Sequence, residues 1–272
     1  MRRKILVAGY YGRNNLGDDV FKYIFENLFD KFKITNYSIQ NLHDIQRIDQ
    51  DTTSVILGGG DVINDFFVPK LQNLNTPKVC STYAISVGIP YPQVIEQGYL
   101  DSFDMIMYRN AADKNALCNR YGEYRAQNFP DMSFLLKRYC ATGTGSLCKR
   151  VKLTYIDPPS SSVKRIGVFL SRNMYSEQDP SKYNMIVEHL AMFFFRIANL
   201  KSPAKWFKPA SKIYEIVFMP FSTSSDCNQN DVILNTDVYN RIQKYAICDN
   251  VFNVTAAIPI NQILPVFQSC YM

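Results

Sequence analysis

The chain has 272 residues, 47% of them hydrophobic, a supply that fits one large core or two of about 130 residues each. No apolar run reaches the roughly 18 residues needed to cross a bilayer, and the basic start Arg2-Arg3-Lys4 is followed by too short an apolar stretch for a secretory signal, so the chain reads as soluble and cytoplasmic with no integral membrane segment. The net charge of +6 lies wholly in the second half, since residues 1–137 hold 15 basic and 15 acidic side chains and residues 138–272 hold 15 and 9.

In chain order, Ile5–Ala8 predicts a buried strand and Asp18 to about Phe32 a helix. That helix has Val20, Phe21, Ile24, Phe25, Leu28 and Phe29 on one apolar face. Strands are predicted at Ile34–Ile39, at Ser54–Leu57 running into a Gly58-Gly59-Gly60-Asp61 loop, at Tyr83–Gly88 and at Asp104–Tyr108. A helix from about Ala111 to Tyr121 closes this half. Strand and helix alternating in this way predict a parallel sheet covered on both faces. Residues 138–164, with Pro158-Pro159 and Ser160–Ser162, break the pattern and read as a linker. The alternation resumes with a strand at Arg165–Leu170, a helix from Ser181 to about Leu200, and a strand at Glu215–Met219. A helix at Thr236–Ile247, a strand at Val251–Val254 and a helix at Asn261–Ser269 complete it. The expected organisation is α/β: an N-terminal domain over 1–137, the linker, and a C-terminal domain over 165–272. Cys270-Tyr271-Met272 reads as the start of a further strand, so the second domain looks incomplete. Its sheet edge would need a homo-oligomer or another partner to cover it.

The segment Gly9-Tyr-Tyr-Gly12-Arg-Asn-Asn15-Leu-Gly17-Asp18-Asp19 joins the first strand to the first helix. A helix start carries unpaired N–H groups and partial positive charge, and glycines let a ligand approach them. Tyr11 occupies the place of the second glycine of a dinucleotide fingerprint, and Asp18-Asp19 replaces the Lys-Ser/Thr of a phosphate-binding loop. The plain alternative is a tight turn with an aspartate cap. Ligands of parallel sheets bind beyond the carboxyl ends of the strands. That singles out Gly9, Tyr11, Gly12, Asn15, Gly17, Gly59, Gly60, Arg109, Arg172 and Asn173 as binding residues, with Asp18, Asp61 and Asp131 as the local carboxylates. One arginine per half could clamp an anion, or each could form an ordinary surface ion pair. Seven scattered cysteines without a C-x-x-C pair argue against a disulfide framework and a zinc site, and two histidines, His43 and His189, exclude a histidine-rich metal centre. No metal or resident cofactor is expected. Dispersed positive charges with no basic–aromatic array speak against nucleic acid.

Taken in series, Gly9 to Asp19, Gly58-Gly59-Gly60, Tyr83–Gly88, Arg109-Asn-Ala-Ala-Asp113, Pro130-Asp131 and Ile166-Gly-Val-Phe-Leu-Ser-Arg172 resemble the polysaccharide pyruvyl transferase family. The resemblance implies two Rossmann-like domains of the GT-B glycosyltransferase type, with the site in the cleft between them. It implies transfer of pyruvate from phosphoenolpyruvate, as donor substrate, to two hydroxyls of a sugar or glycan, forming a cyclic ketal. Asp18, Asp61 and Asp131 would then share acid and base work, and the arginines and the glycine-rich helix start would hold the donor. The family's Arg-x-His motif, whose histidine is its expected acid/base, falls on a strand beyond the last helix read here and has no counterpart up to Met272. The chain is therefore expected to be a C-terminally truncated member. Two other readings stay open: a non-catalytic glycan- or anion-binding remnant of the fold, and a GT-B transferase using a nucleotide sugar.

Overall fold

A computed structural model describes residues 4–91, 93–136, 163–172, 179–199, 214–225, 230–246, 248–260 and 263. The chain divides into two compact units, one made of Met1–Arg13 and Gly17–Thr142, the other of Asn14–Leu16 and Gly143–Met272.

The first unit is built on six parallel strands: β1 (Lys4–Gly9), β2 (Tyr37–Asn41), β3 (Thr52–Gly60), β4 (Ser81–Val87), β5 (Met105–Tyr108) and β6 (Ala126–Asn128). Their order is β2-β1-β3-β4-β5-β6. The connections leave β1 in opposite directions, so the sheet reverses between β1 and β3, where ligands of open α/β sheets collect. Helices α1 (Leu16–Lys31), α2 (Val68–Gln72), α3 (Gln93–Glu96) and α4 (Lys114–Tyr121) link the strands. Helix α1 forms because its apolar residues fall at helical spacing: Val20, Phe21, Ile24, Phe25 and Phe29 are buried, and Asp18 and Asp19 sit in its first turn, where negative charge suits the helix dipole. On one face of the sheet Phe21, Phe25 and Phe29 pack with Val7, Tyr11 and Ile56. A larger core including Leu6, Leu57, Ile63, Val68, Ile95, Phe103 and Leu117 fills the other. Burial on both faces explains why the strands read as continuous apolar runs.

Several expectations change here. The strand predicted at Ser54–Leu57 continues through the glycines, because Gly58 pairs with Ile85 and Gly60 with Val87, so Asp61 is the first residue beyond the strand. The second strand lies at Tyr37–Asn41 rather than Ile34–Ile39, since the Ile34 N–H still closes the end of α1 on the Phe29 carbonyl. Strand β6, helices α2 and α3 and two short 3-10 turns add to the predicted elements, and the helix predicted from Ala111 opens as a 3-10 turn over Ala111–Asp113 before α4.

The second unit has three described parallel strands in the order β7 (Lys164–Val168), β8 (Tyr214–Phe218), β9 (Val251–Asn253). Helix α5 (Pro180–Ala198) begins with proline in its first turn, and the Asp179 side chain accepts from the Ser181 and Lys182 N–H groups. Helix α6 (Asp231–Tyr245) starts five residues before the predicted Thr236, because Asn230 caps it by accepting from the Val232 N–H. Both helices turn apolar stripes onto a core of Val168, Ala191, Phe194, Ile216, Phe218, Leu234, Val238 and Ile242. Apart from Ile263, the predicted helix at Asn261–Ser269 lies outside the described residues, as do most of the predicted linker and Cys270–Met272.

A buried carboxylate organises this unit. Asp231 accepts the backbone N–H groups of Arg172 at 2.9 Å, Ser222 at 2.9 Å and Phe221 at 3.2 Å, joining the segments after β7 and β8 to the start of α6. Burial pushes its carboxyl up and the three N–H groups pull it back. Asp231→Ala strands three donors, each costing about 1–3 kcal/mol if left unpaired. Urea melts followed by circular dichroism should show a loss of about 3 kcal/mol or more, with Asp231→Asn, which keeps an acceptor, losing clearly less.

Candidate functional site

The residues of interest in the first unit gather at the carboxyl ends of β1, β3, β4 and β5. After β1, the Gly12 N–H donates to Asp19 at 2.6 Å, and the Asn41 side chain at the end of β2 donates to the Tyr11 carbonyl at 3.0 Å. Tyr11 itself is buried and donates its hydroxyl to the Gly58 carbonyl, so its ring fills the space above Gly9 and Gly58. The turn is thus tied to both neighbouring strands. Gly17 lies in the first turn of α1, and Asn15 groups with the second unit.

After β5, Arg109 holds two aspartates at once. Its Nη2 donates to Asp61 at 2.7 Å and its Nη1 to Asp131 at 2.8 Å. Asp131 also caps the following 3-10 turn by accepting from the Ser133 N–H at 2.8 Å. Among the described residues these bonds take two of the five N–H donors of the guanidinium, so the rest of the fork can serve a ligand. Arg109 is 28% exposed and Asp61 61% exposed, so the cluster meets solvent on the Asp61 side.

Asp18 completes the group from the first turn of α1. Burial, followed by the charges of Asp19 and Asp61, pushes its carboxyl up to about 7, and Arg109 pulls it only partly back. Arg109→Ala should therefore raise it further, an upward move that a carbon-detected NMR titration of the Asp18 carboxyl would read.

Backbone without side chains makes this crowding feasible. Gly60, at φ +85°, lies where a Cβ would be 2.6 Å from Asp18 Oδ1. Gly88, just after β4, lies where a Cβ would overlap Asp61 Oδ1 and come within 3.0 Å of Arg109 Nε. Sequence alone does not single out Gly88, which reads there only as a strand end. Ser86 is equally silent in the sequence. It is buried at φ +56°, a conformation uncommon for a residue with a side chain, and its Oγ accepts from the Met132 N–H at 2.9 Å, fixing the segment that carries Asp131.

Arg172, in the second unit, is buried. Its Nη1 donates to the Tyr183 hydroxyl at 3.1 Å, its guanidinium lies 5.2 Å from the centre of the Tyr183 ring, and that hydroxyl donates to Asp237 at 2.7 Å. Arg172 thus packs between helices α5 and α6 of the second unit. Asn173 lies outside the described residues.

His43 stacks on Phe66 at 4.1 Å, and the ring of His189 contacts the Met185 carbonyl one turn back on α5. Among the described residues, Cys80, Cys118 and Cys248 are free thiols, no group of acidic, histidine or cysteine side chains could hold a metal ion, and no helix is long and apolar enough to cross a membrane. Compared with known protein families and with curated proteins, the chain matches none.

What the first-unit cluster can do follows from its parts. A carboxyl that titrates near neutrality can give up or take a proton at physiological pH. Two further carboxylates can accept from hydroxyls, and the remaining guanidinium donors can bind an oxyanion.

Proposed function

We propose that the chain is a pyruvyl transferase acting on a sugar, with its chemistry centred on the first unit and two α/β units arranged in the GT-B manner. The observation that carries this reading is the grouping of Asp61, Arg109 and Asp131, with Asp18 close by, along the carboxyl ends of the strands from the point where the strand order reverses outward, on backbone cleared by Gly60 and Gly88. Phosphoenolpyruvate binds through its carboxylate and phosphate to the free donors of Arg109 and the start of α1. Asp18 gives its proton to the terminal vinyl carbon, and positive charge develops on the carbon bearing the phosphate. A sugar hydroxyl attacks that carbon and loses its proton to Asp61. A second hydroxyl then displaces the phosphate, its proton passing through Asp131 to the departing group, which leaves as hydrogen phosphate; the ketal closes, and the proton taken up by Asp61 returns through solvent to Asp18. Each added proton has a donor and each lost one an acceptor, without the histidine of the family motif.

One observation favours a second reading. Arg109 is countered by two carboxylates, with Asp18 and Asp19 beside them, an electrostatic balance that suits neutral hydroxyls better than a triply charged phosphate ester. Under that reading the site binds a glycan and transfers nothing.

The test is phosphate release from phosphoenolpyruvate with galactose- and N-acetylmannosamine-bearing acceptors, with calorimetric binding of donor and acceptors in parallel. Sugar-dependent release, lost in Arg109→Ala, is the expected result. Acceptor binding without release selects the glycan-binding reading. If neither acceptor nor donor binds, both readings fall, and nucleotide sugars become the ligands to try.

A further inference from the structure

Beside the cluster, the first unit contains a cavity of about 310 Å³. Its walls are Ile85 of β4, Met107 of β5, and Phe129, Met132, Phe134 and Leu135 of the segment after β6, joined by Ser86 and Asp131. The two polar members are already engaged inside the protein. Ser86 Oγ accepts from the Met132 N–H, while Asp131 Oδ1 accepts from the Ser133 N–H and Oδ2 from Arg109. Apart from the Asp131 carboxylate, which serves the neighbouring cluster, a guest is offered almost nothing to hydrogen-bond, and burial of apolar surface is what rewards entry.

The cavity is also pre-shaped. Ser86 and the Asp131 cap both fix the N-terminal end of the Met132–Leu135 turn that forms one wall, and the Leu136 N–H closes its other end on the Ser133 carbonyl. Phe134 is 76% exposed and Phe129 42% exposed, two aromatic rings left open to solvent. Two methionines provide sulfur, which packs well against an aromatic ring. Asp131 belongs both to this wall and to the Arg109 cluster, so a ligand whose polar part rests on Arg109 and its aspartates can place an adjacent apolar part in the cavity.

We propose that this cavity is a subsite for an aromatic or short branched alkyl group attached directly to the sugar that the neighbouring cluster binds, an inference that rests on the acceptor reading given above. An acceptor with such a group gains affinity over the same sugar carrying only a methyl group. Burying one ring is worth about tenfold or more in affinity.

Calorimetry on the full chain with methyl β-D-galactoside, phenyl β-D-galactoside and benzyl alcohol tests this. The phenyl compound is expected to bind at least about tenfold more tightly than the methyl one. Leu135→Trp, which fills the cavity, should abolish that difference while leaving methyl galactoside affinity unchanged. Phe134→Ala, at an exposed position that folding does not need, should reduce it several-fold. Equal binding of the two galactosides overturns the subsite and leaves the sugar reading standing. Binding of benzyl alcohol that Leu135→Trp removes, with no galactoside bound, supports an aryl site and overturns the sugar reading. A phenyl preference untouched by both variants overturns the assignment to this cavity.

Discussion

Asp18→Asn is expected to cut sugar-dependent phosphate release by about 10²- to 10⁴-fold, the usual worth of a positioned proton donor, and at pH 8 to make the protein more stable. The second effect follows from the first-turn carboxyl being pushed up to about 7 by burial, Asp19 and Asp61, against about 3.9 in an unfolded chain. Between about pH 4 and pH 7 the folded state holds a proton that the unfolded state has released, so stability falls as pH rises through that window. Above it, the folded protein carries a poorly solvated charge. Every tenfold difference in proton affinity between the two states corresponds to about 1.4 kcal/mol. With a discount for the group's partial exposure, asparagine should recover roughly 1–3 kcal/mol at pH 8 and nothing below about pH 4. A carboxylate that merely served the helix dipole would act in the opposite sense, its loss costing about 0.3–1 kcal/mol. Denaturant melts of both proteins at pH 4 and pH 8 therefore separate the two roles by sign. An asparagine variant that is less stable at pH 8 would remove Asp18 as the proton donor.

Gly88→Ala is the second change with a large expected effect. The new methyl falls on Asp61 Oδ1 and close to Arg109 Nε, so the pair has to part or tilt. Displacement of a catalytic group by about 1 Å can cost about a hundredfold, and a loss of that size in kcat/KM for phosphate release is the expected outcome. Stability should hardly change, because Gly88 has no positive φ to satisfy and an exposed ion pair is worth about 1 kcal/mol at most. Gly59→Ala makes the useful contrast. Gly59 sits at φ +75° against the Phe21 ring, so alanine there should lower the melting temperature sharply. Retention of activity within threefold in Gly88→Ala would dissociate the Asp61–Arg109 pair from turnover.

How much of this is legible in the sequence differs element by element. The apolar face of α1 and the runs at β1, β4, β5 and β8 carry their own signal, since period and β-branched content agree there. Gly58–Gly60 mislead because three glycines look like a loop. Only pairing with Ile85 and Val87, a long-range fact, extends the strand through them. Strand β6 has three residues, Ala126–Asn128, too few to show a period. For the site, the rule that ligands gather at strand ends points to Asp61 and Arg109, which follow β3 and β5, whereas the strand before Asp131 is not visible in the sequence, and the rule cannot tell which way a side chain turns. Arg172 follows β7 much as Arg109 follows β5, but it turns inward to Tyr183 on one helix, whose hydroxyl in turn donates to Asp237 on a second helix far along the chain. Gly88 and Ser86 stand in the sequence only as members of the Tyr83–Gly88 motif, with no sign of their roles, because what matters at each is a neighbour that only folding delivers.

The glycines of β3 have one more consequence. The space that side chains at 58 and 59 would occupy is filled by the rings of Phe25 and Phe21, which reach down from α1 onto bare backbone. Strand and helix have in effect exchanged volume, and neither partner of a pair can vary alone. A larger residue at 59 demands a smaller one at 21, and a smaller ring at 25 opens a void that only a side chain at 58 could fill. Positions 21 with 59 and 25 with 58 should therefore drift together or stay still through the history of this sequence. The floor beneath Asp18 is inherited as a unit with the helix that carries it.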